Sequence, residues 1–462
     1  MYASREIGKK PSRFSLRPHL KVIGDKRSAM KQLSLSLENA HIPDSELKKA
    51  YDFITPFSAQ IQKVVTQGGY TAPESSLNLP FDENCVKKAI HLTTQKECLE
   101  VTGMVVVGIG GSNLGTMAVY QALYGSLGNP DFPLWWADTV DTDQIALLLN
   151  MVESRLKKGE KLLLSLISKS GTTTETVANG ACFLEIFKKC FPTDYHQYIV
   201  VITDKDSVLW KLAAQERFDC LEIPVTVGGR YSVMSAVGLF PLACAGVNIA
   251  QLQLGAKDIV MESLDAQSEA CRSAIVIAHY YARGYVIHDL FIFDAGLEAF
   301  GKWYRQLMGE SIGKEKNLHG KTVHGGITPT VSMGSTDLHS VGQLYLGGPF
   351  DKLTTFINVH DPMHAIKVPQ NSLSKLVAHI EGKSLQQIMN AIVQGTQRAY
   401  AEHKRPFMSI TLEQKNAYYM GQLLQLKMIQ MMYLGALLEV NPFDQPNVEL
   451  YKIQTRKILA HE

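Results

Sequence analysis

Residues 161–176 read KLLLSLISKSGTTTET, and the reading of this stretch decides the fold. Leu162 to Ile167 is a nearly continuous apolar run, as expected of a strand buried on both faces of a parallel sheet. The run stops at Ser168. From there to Thr173, only Gly171 lacks a side-chain donor, and glycine frees the backbone to turn. From Thr173 the period becomes helical, with Val177, Ala178, Ala181, Leu184 and Phe187 on one face. A hydroxyl-rich turn therefore sits between a buried strand and the first turn of a helix. Unpaired N–H groups and the positive end of the helix dipole point outward there. A cap needs one hydroxyl, whereas this turn carries four, on Ser168, Ser170, Thr172 and Thr173. With Lys169 they form a cradle suited to a phosphate monoester.

Working outward, the same texture repeats. Strands are expected at 104–109, 132–136, 161–167, 198–202 and 220–223. Helices alternate with them at 114–127, 144–152, 173–189 and 207–215. Such alternation builds a doubly wound parallel sheet with helices on both faces. A second, less regular alternation follows, with helices at 249–263, 267–283 and 296–308 and strands at 286–293 and 354–359. Residues 30–70, 372–404 and 412–438 read as helical. A polar, proline-containing stretch at 71–84 reads as a boundary. The division that results is a helical extension over 1–95, α/β units over 96–245 and 246–410, and C-terminal helices over 411–462.

Composition narrows the classes. The chain has 462 residues, 45% hydrophobic and 19% charged, with net charge +2. That is ordinary for a soluble globular protein and gives no reason to invoke nucleic acid or an anionic membrane. Seven scattered cysteines without a C-x-x-C pair read as free thiols in a reducing compartment. No signal peptide or membrane span is legible. The basic segment 1–26 is expected to be a surface arm packed on a partner subunit. His360 and His364 stand four apart, but Pro362 spoils a regular helix and no third ligand is evident, so no metal is expected.

The turn at 107–115, VGIGGSNLG, follows a strand and opens a helix. A dinucleotide fingerprint needs glycine at its sixth position, where Asn113 stands, although Asp138 lies at the right distance for a ribose. The better reading is a turn against which a substrate lies, with Gly111 and Ser112 as binding groups. Ligands bind at the carboxyl ends of strands in such sheets, so this turn and 168–173 should share an edge. Neither ends in G-K-[ST], which favours a phosphorylated small molecule over a nucleotide.

Five stretches then appear in order: VGIGGSNLG, SKSGTTTET, VGGRYSVMSAVG (227–238), GESIGKEK (309–316) and FDQPNVELYK (443–452). Together they resemble the glucose-6-phosphate isomerase family in its compact bacterial form, over about 103–452. The resemblance implies two αβα-sandwich sugar isomerase (SIS-type) domains with parallel sheets, plus helical N- and C-terminal extensions. It implies reversible isomerisation of glucose 6-phosphate to fructose 6-phosphate through a cis-enediol, in glycolysis and gluconeogenesis in the cytoplasm, without cofactor. By the same resemblance Glu310 is the base, Arg230 the charge beside the enediolate, His339 in GSTDLHS the ring-opening histidine, and Lys452 its helper. The phosphate falls on Ser168, Lys169, Ser170 and Thr173. Gln306, one helical turn before Glu310, and Gln445 bind hydroxyls. A homodimer is implied, with the histidine contributed by the neighbour.

Asn447 stands where the family usually has glycine, and asparagine is the best substitute at a positive φ. A non-catalytic sugar-phosphate sensor would keep the cradle but could lose Glu310, Arg230, His339 and Lys452, all of which are present. The isomerase half of a glucosamine-phosphate synthase would need an N-terminal cysteine nucleophile domain, which is not seen.

Overall fold

The computed structural model describes residues 32–461. The basic arm lies outside the described residues. In chain order the strands are β1 (Ser34–Ser36), β2 (Val101–Val107), β3 (Leu134–Ala137), β4 (Lys161–Ile167), β5 (Ile199–Asp204) and β6 (Asp219–Ile223). Then come β7 (Ile287–Ile292), β8 (Lys314–Lys316), β9 (Thr322–Gly325), β10 (Thr328–Met333), β11 (Lys352–Asp361) and β12 (Phe407–Gln414).

The first sheet has the order β3-β2-β4-β5-β6, all parallel. Its strands are buried on both faces, as their unbroken apolar runs require. Met104, Val106, Leu163, Val200 and Ile202 point into one core, and Val105, Val107, Leu164, Ile199 and Val201 into another. Phe183 and Phe187 of the helix Thr174–Cys190 close the second core.

The second sheet has the order β1-β12-β11-β7-β10 and is parallel except for β1. Leu290 and Ile292 face the large core, while Phe291 and Phe293 face a smaller one with Phe356, Tyr400 and Phe407. Each unit is thus an αβα sandwich, and the two share the helix Ala417–Leu437. That helix is buried along nearly its whole length, including the polar Gln422, Gln425, Lys427 and Gln430.

The structure departs from the expected elements at several places, each with a physical reason. Residues 30–70 begin with β1, because Leu33, Leu35 and Leu37 alternate with period two and Leu35 pairs opposite Ile410. The helix there is Asp44–Gln67. In 372–404 only Leu385–Glu402 is α-helical, started by a capping box between Ser384 and Gln387, and Ser374–Leu376 is a single 3-10 turn. Residues 412–438 hide the end of β12, and the helix starts only after Asn416 caps it at the Tyr419 N–H. Strand β10 escapes notice because it contains Pro329. Proline is tolerated there because β10 is an edge strand. Within 71–84, Pro73–Phe81 is a 3-10 helix with Leu77 and Leu79 fully buried. No helix among the described residues is long and apolar enough to cross a membrane.

Candidate active site

Parallel register brings the two glycine- and hydroxyl-rich turns together. Val107 at the end of β2 pairs beside Leu166 near the end of β4, so both turns leave neighbouring strands at one level. The first turn is pressed against the segment that carries Arg230. A Cβ on Gly111 would sit 2.1 Å from the carbonyl carbon of Gly229, so no other residue fits. Gly110, at φ +60°, faces the end of the Gln306 side chain: a Cβ there would lie 2.8 Å from Nε2. Ser112 is half-buried, and its hydroxyl bonds no described residue. Asn113 is buried and donates to Asp138 at 3.0 Å, which occupies the acid a dinucleotide reading would have given to a ribose.

Gln306 and Glu310 stand on the helix Glu298–Ile312, one turn apart on the same face, as their spacing predicts. Gln306 Nε2 donates to Glu310 Oε1 at 3.0 Å. Arg230 Nη1 donates to Glu310 Oε2 at 3.0 Å. Both oxygens of one carboxylate are therefore held from the same chain.

Arg230 is 1% exposed. Its Nε donates to Ser311 Oγ at 2.9 Å, and its Nη1 also to Gln445 Oε1 at 2.8 Å. Its Nη2 reaches the carbonyls of Pro442 at 2.5 Å and Asp444 at 3.2 Å. A guanidinium has five N–H donors, and all five are engaged. Each bond to a charged group contributes about 1.5–3 kcal/mol, enough to offset the several kcal/mol of burying the ion. Arg230 thus has no spare guanidinium donor, and what it adds to its surroundings beyond these bonds is its charge. Tyr231 lies against Ser311 Oγ at 3.0 Å, and the Trp303 indole donates to the Arg230 carbonyl at 3.2 Å.

The hydroxyl turn is bonded mainly to itself. Ser168 Oγ and Thr173 Oγ1 are 2.9 Å apart, and the Gly171 N–H donates to Ser168 Oγ at 3.1 Å. Ser170 and Thr172 pair at 3.2 Å and are exposed. Thr173 stands at the cap position of the helix, yet its side chain makes no cap bond, so its first N–H groups stay open. Lys169 leaves the hydroxyls: its Nζ donates to the Val225 carbonyl at 2.5 Å. Burial lowers the Lys169 pKa while Asp204 pulls it back, and burial raises Asp204 to about 6.

The other two residues stand apart from this cluster. Glu310 ends a helix that runs back from the carboxyl end of β7, so it lies at the amino end of the second sheet. His339 follows the carboxyl end of β10. A six-residue strand spans about 20 Å, so one chain does not bring His339 to Glu310. His339 is exposed, and its side chain bonds no described residue. Lys452 pairs with Glu449 at 2.6 Å, on the helix Val448–Leu459, none of whose residues is buried. Asn447 corrects an expectation: its φ is −69°, so no left-handed position is required there. Its amide instead donates to Glu315 at 3.0 Å.

Sequence reasoning missed Ser311, Tyr231, Lys314 and Asp444 as parts of the cluster. Each lies inside a quoted motif, one to four residues from a residue already chosen. Among the described residues one group has metal-ligand spacing, with His360, Asp361 and Glu413 donor atoms within 4.8 Å of one another. His364 is not among them. All three are at the surface, at the carboxyl end of β11 and β12.

The sequence profile of the phosphoglucose isomerase family matches residues 91–462. The chain is 34% identical over 385 residues to a glucose-6-phosphate isomerase of Thermus thermophilus, covering 83% of this chain and 89% of that protein. It is 33% identical over 373 residues to glucose-6-phosphate isomerase of Carboxydothermus hydrogenoformans, covering 78% and 79%. The crystal structure of a hypothetical protein from Thermus thermophilus superposes with a TM-score of 0.82 at 30% identity, over 93% of this chain and 100% of that one. A glucose-6-phosphate isomerase structure from Chlamydia trachomatis has the same fold, with a TM-score of 0.79 at 20% identity over 94% and 89%. This chain belongs to the phosphoglucose isomerase family.

Proposed function

We propose that the protein reversibly isomerises glucose 6-phosphate and fructose 6-phosphate, with Glu310 as the base. Membership of the family and the shared name of its relatives support the reaction. The observation that carries the assignment of the base is the Glu310 carboxylate, held on one oxygen by Gln306 and on the other by Arg230, beside a glycine turn at a sheet edge.

The proton moves between C2 and C1. One carboxylate takes it from C2, leaving an enediolate, and returns it to C1 while the hydroxyl proton passes from O2 to O1, so a single base reaching both carbons suffices. A positioned base of this kind contributes about 10²–10⁴ in rate. The enediolate's developing charge lies near Arg230, which is always protonated and already fixed in place. The phosphate binds the hydroxyls of Ser168, Ser170 and Thr173 and the open N–H groups of the helix Thr174–Cys190. The Lys169 ammonium would have to leave Val225 to join them. Gly111, Ser112, Gln306 and Gln445 line the path of the sugar between cradle and base.

Ring opening by His339, helped by Lys452, needs a second copy of the chain. Two observations support this reading. His339 and Glu310 lie at opposite ends of one sheet. Both ends also bear exposed apolar side chains: Met363, Leu373 and Leu376 on the segment that follows the carboxyl end of β11, and Leu450, Tyr451 and Ile453 on the terminal helix. A two-fold dimer that laid one end on the other would cover both patches at once.

A coupled assay on the purified protein tests the reaction: fructose 6-phosphate should form from glucose 6-phosphate. No product would end the isomerase reading.

A further inference from the structure

Lys314 is the second cation of the Glu310 cluster and has no part in the reading above. It is 7% exposed. Its Nζ donates to the Glu310 carbonyl at 2.8 Å, to the Asp444 carboxylate at 3.0 Å, and to the Asp444 carbonyl. The bond to Glu310 closes the last turn of the helix Glu298–Ile312, where a cation is favoured by the dipole.

We propose that Lys314 is a positioning residue for the isomerisation: it locks the 441–447 turn onto the helix end that carries Glu310, and so sets where Gln445 and Lys452 stand. The terminal helix cannot set its own position, because none of its residues is buried. The turn before it is tied to the first α/β unit by Arg230 and Tyr231, which reach Pro442, Asp444 and Gln445. On the side of the second unit its polar ties are Lys314 and the exposed Asn447–Glu315 bond. Without Lys314 the turn is gripped firmly from one side only. A displacement of about 1 Å at a reacting centre costs on the order of 10²-fold in rate.

The inference rests on Glu310 being the base. Its test is Lys314→Met in the full chain, with kcat, KM, melting temperature and amide hydrogen exchange measured together. The expected result is a fall in kcat of about 10- to 100-fold and faster exchange confined to residues 441–459. KM and melting temperature should stay close to wild type. Asp444→Asn keeps the carbonyl acceptor and loses the carboxylate, so it should shift the same quantities in the same direction by less. Unchanged kcat would overturn the proposal, as would a fall in kcat with no local change in exchange. A lower melting temperature with faster exchange throughout would make Lys314 merely structural and would also overturn it. Faster local exchange alongside a Glu310→Gln variant that keeps turnover would instead overturn the base assignment and leave the tether standing.

Discussion

At the amino end of the second sheet every guanidinium N–H of Arg230 has a partner, and both oxygens of Glu310 are held. At the carboxyl end, about 20 Å away along β10, His339 is exposed and bonds no described residue. The segment that follows β11 at the same end leaves apolar side chains uncovered, among them Leu376 at 78% exposure. The contrast separates two parts of the chemistry. On the proposed reading, proton transfer at the carbons uses a fixed carboxylate and a fixed charge, and one chain holds both in place. On the same reading, ring opening uses His339, which a single chain leaves exposed and apart from that cluster.

The largest effect should come from breaking the finished end. Glu310→Gln keeps the shape and the bond to Arg230 but cannot accept a proton. Its kcat should fall on the order of 10²–10⁴-fold, with sugar-phosphate affinity within a few-fold of wild type. Turnover near wild type would show that the base lies elsewhere.

The hydroxyl turn lies between the two extremes, since it is ordered but bonded mostly to itself. Ser170→Ala combined with Thr173→Ala removes two neutral donors, each contributing about 0.5–1.5 kcal/mol. Affinity for fructose 6-phosphate should therefore weaken roughly tenfold or more, while kcat changes less. Isothermal titration reads this directly, and unchanged affinity would move the phosphate to another surface.

The interior between the two ends offers the smallest effect. Lys427 is as buried as Arg230, yet among the described residues its ammonium has one hydrogen-bond partner, Gln430 at 3.2 Å. Burial pushes its pKa down to about 7. In the unfolded chain a lysine titrates near 10.4. Between these values the unfolded chain holds a proton that the folded chain has lost, so stability rises with pH across the window. The cost of Lys427 is greatest below about 7. Lys427→Met should raise the melting temperature by a few degrees at pH 7 and flatten its rise towards pH 10. A lower melting temperature, or the same pH dependence as wild type, would mean that the ammonium is better satisfied than its surroundings indicate.

The first sheet and the hydroxyl turn were legible in the sequence for different reasons. Strands such as β2 and β4 are buried on both faces, so the apolar run itself announces them. The hydroxyl turn announced itself because it holds more donors than a cap can use. Glu310, Arg230, His339 and Lys452 carried no such local signal: each is a single polar residue, and only the motifs around them singled them out. Strand β1 and the register of β12 were not legible, because their pairing lies between segments more than 370 residues apart, Leu35 opposite Ile410. The five-fold saturation of Arg230 was not legible either. Its acceptors come from 311, 310 and the 442–445 turn, and two of them are backbone carbonyls that any residue would supply.

Whether the two ends meet across a two-fold axis is tested most directly by mixing two disabled chains. Glu310→Gln and His339→Ala would be produced together and allowed to pair at random. Half of the dimers would then be mixed, and each mixed dimer would keep one site with both wild-type groups. The preparation should show about a quarter of wild-type activity, by that arithmetic, although each variant alone is far weaker. Activity no greater than the average of the two variants measured separately would contradict a site shared between subunits.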